Sequence, residues 1–224
     1  MLRLTPDPGK RLRVALIGAH CDDVEIGAGG LVLDLGERRA LAAVDVLVLA
    51  STPVREAEAS ASLEAFCAPV RPAVTFGGLP DGRLPGRWDE VKDRLQDFAA
   101  TTSPDLVLAP SPADAHQDHR LLGELVTTAF RDQLVLHYEI PKWDGDLGAG
   151  RPQTYWPLSG QLVRRKAALL HEHYGSQRDH DWFREDTFLA LARLRGMECR
   201  SDYAEAFSCP KTVLGWQADR APAP

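Results

Sequence analysis

The sequence has few cysteines, and none of them are paired at the spacing of a metal module. Its four cysteines are widely separated, so no CxxC motif is present: Cys21, Cys67, Cys199 and Cys209. This spacing excludes zinc ribbons and zinc fingers, which hold the metal with closely spaced thiolates. It also offers no disulfide framework, and we expect four free thiols in a reducing compartment, the cytoplasm.

Long apolar runs and an excess of positive charge are missing as well. No segment approaches the roughly 20 apolar residues that cross a bilayer, and residues 1–6 contain no apolar signal-peptide core. The formal net charge is −6 and the pI is about 5.6. This balance argues against a nucleic-acid partner, which would require a dense footprint of lysine and arginine.

The overall composition is that of a globular protein. Of the 224 residues, 44% are hydrophobic and 26% are charged, enough to bury a sizeable core. We predict one domain over residues 1–224, with a core of sheet and helices over 1–140 and a substrate-side part over 141–220. The sequence contains no internal repeat, and it leaves open whether the protein forms a homo-oligomer.

Strand-like and helix-like segments alternate along the first 140 residues. Apolar runs predict strands over residues 14–17, 44–49, 74–76, 106–109 and 134–137. Apolar side chains at helical spacing predict helices over residues 29–39, 55–68, 89–100 and 119–130. Such alternation is typical of an α/β fold, here a Rossmann-like, doubly wound, mostly parallel sheet with helices on both faces.

The last third of the chain has a different pattern. Residues 141–150 are rich in glycine and polar residues and predict a loop over the strand ends. Beyond them we predict helices over 161–173 and 181–195, a small C-terminal hairpin of 203–207 and 212–214, and a disordered tail over 221–224.

A first cluster of ionisable residues lies directly after the first predicted strand. Within residues 19–30 it contains His20, Asp22 and Asp23, and it ends on glycines. Adjacent aspartates repel each other and are tolerated mainly where a cation or a shared proton offsets the repulsion. The position of the cluster predicts a ligand site, because the crevice of an open α/β sheet lies beyond the carboxyl ends of its strands.

A second cluster, in residues 114–120, follows the fourth predicted strand. It contains His116, Asp118 and His119. Because a parallel sheet brings strand ends from different units to one edge, both clusters can contribute to a single site. Imidazole and carboxylate ligands without thiolate suit a catalytic zinc, which keeps one position open for water.

Each cluster taken alone also has a structural interpretation. Carboxylates at the start of a helix satisfy free N–H groups and interact favourably with the helix dipole, so Asp22, Asp23 and Asp118 are candidates for helix caps. A single His116 or His119 is more often structural than a ligand. The coincidence of two clusters at two strand ends favours the metal site.

The two clusters resemble the signature motifs of the LmbE-like, or PIG-L, N-acetylglucosaminyl deacetylases. Residues 19–30 match the motif Ala-His-Pro-Asp-Asp-x-Glu followed by a glycine-rich turn, and residues 116–119 match His-x-Asp-His. Weaker similarities extend over most of the chain, at residues 55–58, 79–82, 174–177 and 203–207.

The resemblance implies a set of roles for these residues. It implies a zinc ion with three protein ligands: His20, Asp23 and His119. It implies that Asp22 is the general base that takes a proton from the attacking water. His116 would stabilise the tetrahedral oxyanion and assist the leaving amine, with Asp118 orienting its imidazole. The implied reaction is hydrolysis of an N-acetyl amide to acetate and a free amine.

This chain departs from the family pattern at two positions. Cys21 replaces the usual proline, so the turn that carries the ligands loses a fixed φ; either it is looser or another contact holds it. The Cys21 thiol is either an adventitious metal ligand or only fills the turn. Asp114 stands where the mycothiol branch of the family tends to have tyrosine, which disfavours that substrate.

The resemblance also implies substrate contacts. Asp81 resembles a residue that hydrogen-bonds a sugar hydroxyl, and Arg55 resembles one that meets a polar or anionic group beyond the sugar. The alternatives are a plain β-turn at residues 80–82 and an ion pair of Arg55 with a glutamate of its own helix. Four aromatic residues are candidates either for a sugar platform or for the core: Trp143, Trp156, Trp182 and Tyr174.

Two classes of function are in competition, and a third possibility is a family member that keeps the fold but binds a partner instead of turning over substrate. The third is disfavoured because all six catalytic-type residues are present. The favoured one is a zinc-dependent deacetylase whose partner is a small N-acetylated amino sugar or a glycoconjugate of one. The alternative is a non-hydrolytic nucleotide or sugar-phosphate binding module, since a strand, a glycine-rich turn and a helix also begin a dinucleotide-binding fold. The alternative is disfavoured because the dinucleotide-binding motif needs several glycines directly after the strand, and only Gly18 is found there. His20 and the two aspartates occupy the positions where the backbone would contact phosphate.

Overall fold

A computed structural model describes residues 9–141 and 151–213 of the chain. Within these residues, seven strands form one sheet: β1 (Leu12–Gly18), β2 (Leu41–Ala50), β3 (Ala73–Leu79), β4 (Leu106–Pro110), β5 (Leu134–Tyr138), β6 (Thr154–Leu158) and β7 (Tyr203–Ser208). Their spatial order is β3-β2-β1-β4-β5-β7-β6. Strands β1 to β5 are parallel, and β7 runs antiparallel to β5 and β6.

In the described part of the chain, six α-helices cover the two faces of this sheet: α1 (Asp23–Glu37), α2 (Pro53–Cys67), α3 (Trp88–Thr101), α4 (Gln117–Ala129), α5 (Gly160–His173) and α6 (Glu185–Cys199). One hydrophobic core lies between the sheet and α1, α2, α5 and α6, and a second lies between the opposite face and α3 and α4. The predicted doubly wound, mostly parallel α/β fold is confirmed.

Helix α1 begins at Asp23, six residues before its predicted start. It is buried along almost its whole length and packs so closely that a Cβ atom on Gly27 would lie 2.2 Å from the Tyr138 ring. Glycine lowers helix propensity, so the glycines near the start of α1 hid its first turns from a prediction based on local sequence. The correction places Asp23 in the first helical turn and makes Asp22 the residue that precedes the helix.

The C-terminal hairpin was predicted wrongly. Strand β7 lies inside the sheet between β5 and β6, while Thr212 and Val213 have no regular structure and residue 214 lies outside the described residues. Strand β6 was not predicted because it contains Pro157; proline is tolerated there since β6 is an edge strand. Of the predicted loop over 141–150, Pro141 has no regular structure and the remainder falls outside the described residues, as does the predicted tail over 221–224.

The sheet topology determines where a site can form. Strands β1 and β4 are neighbours, but the chain leaves β1 toward β2 on one side and leaves β4 toward β5 on the other. A crevice opens at such a switch point, beyond the carboxyl ends of the two strands. Both ionisable clusters follow these two strands. None of the described helices is both long enough and apolar enough to cross a membrane.

Candidate metal centre and active-site cleft

The two predicted clusters meet at the switch point between β1 and β4. His20 Nδ1 lies 3.1 Å from His119 Nε2. Asp23 Oδ2 lies 3.4 Å from the same His20 nitrogen and 3.3 Å from the same His119 nitrogen. Ligands that surround a tetrahedral zinc ion at about 2.05 Å are about 3.3 Å apart. The three atoms are therefore spaced like three ligands of one such ion.

The outer nitrogens of both histidines face carboxylates. His119 Nδ1 lies 3.1 Å from Asp114 Oδ1, and His20 Nε2 lies 3.3 Å from Asp118 Oδ2 and 2.9 Å from Asp81 Oδ1. In neutral rings, His20 Nε2 can donate its proton to Asp118, and His119 Nδ1–H lies against the negative charge of Asp114. This arrangement leaves the inner nitrogens as lone-pair donors. Carboxylates beside the outer nitrogen are the usual surroundings of a metal-binding histidine. They argue against a metal held by His20 with Asp81 and Asp118, because those carboxylates face the outer nitrogen of His20. The other grouping in the cleft, His20 with His116 and His119, shares two of the three residues of the triangle formed by His20, Asp23 and His119.

Asp114 has a structural role that the sequence analysis did not assign. Besides facing His119, its Oδ1 accepts the backbone N–H of His116 at 2.8 Å. The buried Asp114 carboxylate thus contacts two other residues of the second cluster. The signal was its presence in the cluster, but the contact depends on the fold of the loop after β4, which residue spacing alone does not give.

Asp118 holds two parts of the site together. Its carboxylate accepts the backbone N–H groups of Gly82, at 2.8 Å, and Leu84, at 3.2 Å, and also faces His20. Burial raises the pKa of Asp118, but hydrogen bonds from His20 and Gly82 and the charge of His20 outweigh burial, so the pKa is lowered. The carboxylate therefore anchors the turn after β3 to the first cluster.

His116 precedes α4 and caps it. Its Nδ1 accepts the backbone N–H of Asp118 at 3.2 Å, so the neutral ring carries its proton on Nε2. The His116 ring lies 4.9 Å from the His20 ring and 4.7 Å from the His119 ring, measured between centroids. The contact described between Asp118 and His116 thus runs through the Asp118 amide, and the predicted orienting role of the Asp118 carboxylate stays a prediction.

Asp22 occupies the N-cap position of α1, but its side chain makes no capping hydrogen bond. Instead, Asp22 Oδ1 lies 3.2 Å from Arg55 Nη2, and the Asp22 side chain is only 3% exposed. Burial lowers the pKa of Arg55, but the charge of Asp22 and a hydrogen bond to it outweigh burial, so the pKa is raised. Arg55 also reaches its own helix, with Nη1 at 3.9 Å from Glu58 Oε2.

Tyr174 holds the turn in which cysteine replaces proline. Its hydroxyl contacts the carbonyl oxygen of Cys21 and lies 2.7 Å from Glu25 Oε1. Burial raises the pKa of Glu25 to about 7, although hydrogen bonds oppose this. The Cys21 thiol lies 3.9 Å from the carbonyl oxygen of Ala50, and burial raises its pKa to about 12. At neutral pH it is therefore a protonated thiol that fills the turn.

The cleft over these residues has a volume of about 660 Å³. Its walls include Asp81, Arg55 and, from the segment before α6, Trp182. Of the other aromatic candidates, Tyr174 is buried beneath the cleft and Trp156 Nε1 donates to Asp34 Oδ2 at 2.9 Å, away from it. Trp143 lies outside the described residues.

The fold is similar to that of several solved structures. The N,N'-diacetylchitobiose deacetylase of Pyrococcus horikoshii is 19% identical, with a TM-score of 0.65 over 88% of this chain and 83% of that chain. The zinc-inhibited form of teicoplanin deacetylase is 16% identical, with a TM-score of 0.68 over 88% and 97%. The 4-carboxy-2-hydroxymuconate hydratase of Pseudomonas putida KT2440 is 18% identical, with a TM-score of 0.70 over 92% and 98%. At these identities the likeness is one of fold.

The chain also resembles known proteins in sequence. The succinoglycan biosynthesis transport protein ExoP of Rhizobium meliloti is 30% identical over 105 residues, which is 42% of this chain but only 13% of that much longer protein. The model of the PIG-L family, described as GlcNAc-PI de-N-acetylase, matches residues 15–130, which is about half of the chain and includes both clusters. The chain therefore belongs to the PIG-L family.

Proposed function

We propose that this protein is a zinc-dependent N-deacetylase that hydrolyses the N-acetyl amide of an amino sugar or of its conjugate. The observation that carries the proposal is the buried triangle of His20 Nδ1, Asp23 Oδ2 and His119 Nε2, whose sides measure 3.1 to 3.4 Å. Membership of the PIG-L family and the names of the deacetylase structures with the same fold support it.

The donor set fits zinc. Two imidazoles and one carboxylate are a common protein ligand set for this ion, and three protein ligands leave a position open. When bound, zinc would act as a Lewis acid and lower the pKa of water toward 7. His20, Asp23 and His119 would hold it, and Asp114 would keep the His119 ring in the required orientation.

The residues around this triangle supply the proton transfers. Asp22 accepts the proton that the attacking water loses; this role is supported by its position next to Asp23, its place in the lining of the cleft and the lack of a capping bond from its side chain. His116 presents its Nε2–H and donates to the oxygen of the tetrahedral intermediate. Water adds to the acyl carbon and gives one proton to Asp22. The C–N bond then breaks, and the leaving nitrogen takes up that proton to give an amine and acetic acid, which ionises to acetate.

Two other functions fit the cleft less well. A nucleotide-binding module would place phosphate at the start of α1, where Asp22 and Asp23 stand, and the charges would repel. The hydratase with the same fold shows that fold alone does not select a reaction. Its named substrate carries carboxylates, whereas Arg55 is the one lysine or arginine among the described residues that line this cleft, and it already pairs with Asp22.

The proposal is tested by measuring acetate release from N-acetylglucosamine derivatives by the zinc-loaded protein. Asp22→Asn should retain the metal and lose about 10²- to 10⁴-fold in kcat. Asp97→Asn changes an exposed aspartate of α3 and serves as the matched control. Full activity of the metal-free protein, or wild-type turnover by Asp22→Asn, would refute the proposal.

A further inference from the structure

The cleft has an aromatic wall outside the metal centre. The Trp182 ring packs edge-on against Phe183, at 5.4 Å between centroids and an interplanar angle of 87°. Phe183 is 1% exposed and belongs to the hydrophobic core, so it fixes the indole from behind. On the same segment, the His180 ring lies 6.1 Å from the Trp182 ring and is nearly parallel to it, at 18°. Trp182 is therefore packed against two rings and only partly buried, so it presents an aromatic surface to the cleft.

Polar side chains line the same cleft as this surface. Gln177 and Asp181 belong to the same segment and also line the cleft. The C–H faces of a pyranose ring are apolar and its hydroxyl groups point outward at the edge. A flat indole with amide and carboxylate groups beside it suits such a ring, because the indole covers the apolar face while the polar groups hydrogen-bond the hydroxyls.

The charge of the cleft is unfavourable to phosphate. Three aspartates line it, Asp22, Asp81 and Asp181, and Asp81 has a side chain that is 78% exposed. Among the described lining residues, Arg55 is the single lysine or arginine. Its guanidinium lies 3.2 Å from Asp22 Oδ1, donates to Ser176 Oγ at 3.0 Å and stacks 5.4 Å from the centre of the Tyr174 ring. In the described part of the cleft lining, a phosphodiester would therefore meet no lysine or arginine that is not already engaged.

We infer that the cleft binds a second, uncharged carbohydrate ring on Trp182, next to the N-acetylated sugar, and that phosphate-linked amino sugars are poor substrates. This inference rests on the proposed deacetylase function and specifies its substrate class: neutral oligosaccharides or glycosides rather than nucleotide sugars or phospholipid conjugates. The family description names a phosphatidylinositol-linked sugar, so the inference separates this chain from that substrate.

The experiment compares three acetylated compounds with the zinc-loaded enzyme: methyl N-acetyl-β-glucosaminide, a β-1,4 disaccharide of N-acetylglucosamine, and UDP-N-acetylglucosamine. We expect kcat/KM for the disaccharide to exceed those of the other two by about tenfold, equivalent to about 1.4 kcal/mol. Trp182→Ala should abolish this advantage by raising KM for the disaccharide more than for the methyl glycoside. Trp182→Phe should retain part of it. Trp88→Ala, which removes a half-exposed tryptophan outside the cleft, is the control.

The outcomes separate this inference from the proposed function. If UDP-N-acetylglucosamine is hydrolysed as well as the disaccharide, or if Trp182→Ala slows the methyl glycoside and the disaccharide equally, the inference is overturned while the deacetylase stands. If no compound releases acetate, the proposed function falls, and calorimetric titration then decides the inference. Tighter binding of the disaccharide than of the UDP sugar, lost in Trp182→Ala, would support the second-ring site, and equal binding would refute it.

Discussion

His20 Nδ1 and His119 Nε2 lie 3.1 Å apart although 99 positions of sequence separate the two residues. The contact exists because β1 and β4 are neighbours in the sheet and each delivers its cluster to the same edge. Asp23 Oδ2 completes the triangle from the first turn of α1. Each of these side chains is at most 8% exposed, so the three potential metal ligands are buried and not spread over the protein surface.

His119→Ala should abolish stable zinc binding. The substitution removes one of three proposed ligands and leaves a two-residue site, which holds zinc far more weakly. Purified wild-type protein should contain about one zinc per chain by plasma mass spectrometry, and the variant well below that. His173→Ala removes a histidine at the end of α5, outside the cleft, and should keep the full content. Unchanged zinc in His119→Ala would exclude this residue as a ligand.

Asp114→Asn should weaken zinc binding without eliminating it. The asparagine still accepts the His116 amide proton but no longer offers a charged acceptor to His119 Nδ1, 3.1 Å away. Loss of such an outer-shell carboxylate typically costs 10- to 100-fold in metal affinity, so we expect a loss of about that size. Competition with a chromophoric chelator measures the affinity. An affinity within twofold of the wild type would show that Asp114 does not support the metal centre.

The sequence predicted the parts of the site that depend on topology. Runs of apolar residues located β1 and β4, and the rule for parallel sheets then placed His20 and His119 at one edge. Contacts made by loops and by distant segments were not predictable in this way. Asp114 reaches His119 because of the path of the loop after β4, and Tyr174 reaches the Cys21 turn across 153 positions of sequence. Neither contact corresponds to a periodicity or a residue spacing that could be recognised in the sequence.

The same distinction explains the errors in the fold. Glycines in α1 lower helix propensity, and only their close packing against the sheet, as at Gly27 on Tyr138, accounts for them. Strand β7 pairs with two strands that are far away in sequence, and β6 contains a proline that only an edge position permits. In each case tertiary contacts override the local signal.

Tyr174→Phe should destabilise the ligand turn. The hydroxyl contacts the Cys21 carbonyl oxygen and Glu25, both buried, so its removal leaves polar groups without their partner at a cost of about 1–3 kcal/mol. Urea denaturation measures the loss, and kcat should fall as well because Cys21 lies between His20 and Asp22. Tyr155→Phe removes a partly exposed hydroxyl from the edge strand β6 and is the matched control. Equal stability of the two variants would mean that Tyr174 does not hold the turn.

His137 should make folding stability depend on pH at the base of the second cluster. Its Nδ1 donates to the Pro110 carbonyl oxygen at 2.7 Å, where β4 ends and the loop that carries Asp114 begins. Burial lowers the pKa of His137, although the hydrogen bond to Pro110 opposes this. Above the ordinary histidine pKa of about 6.5, folded and unfolded chains are both neutral at this residue. Below it only the unfolded chain takes up the proton, so the free energy of unfolding decreases as pH falls through the lowered folded pKa.

His137→Asn tests this dependence, since an asparagine amide still donates to the Pro110 carbonyl but does not titrate. Urea denaturation of the metal-free proteins between pH 8 and about 5, the range in which an unperturbed histidine changes charge, should show a steeper loss of stability for the wild type than for the variant. The difference between them should shrink as the pH falls, because the wild type loses the contribution of a neutral His137. His173→Asn controls for a partly exposed histidine and should follow the wild type. Parallel curves for wild type and His137→Asn would show that His137 titrates alike in the folded and unfolded chains. The neutral form of His137 would then make no pH-dependent contribution to folding stability at the end of β4.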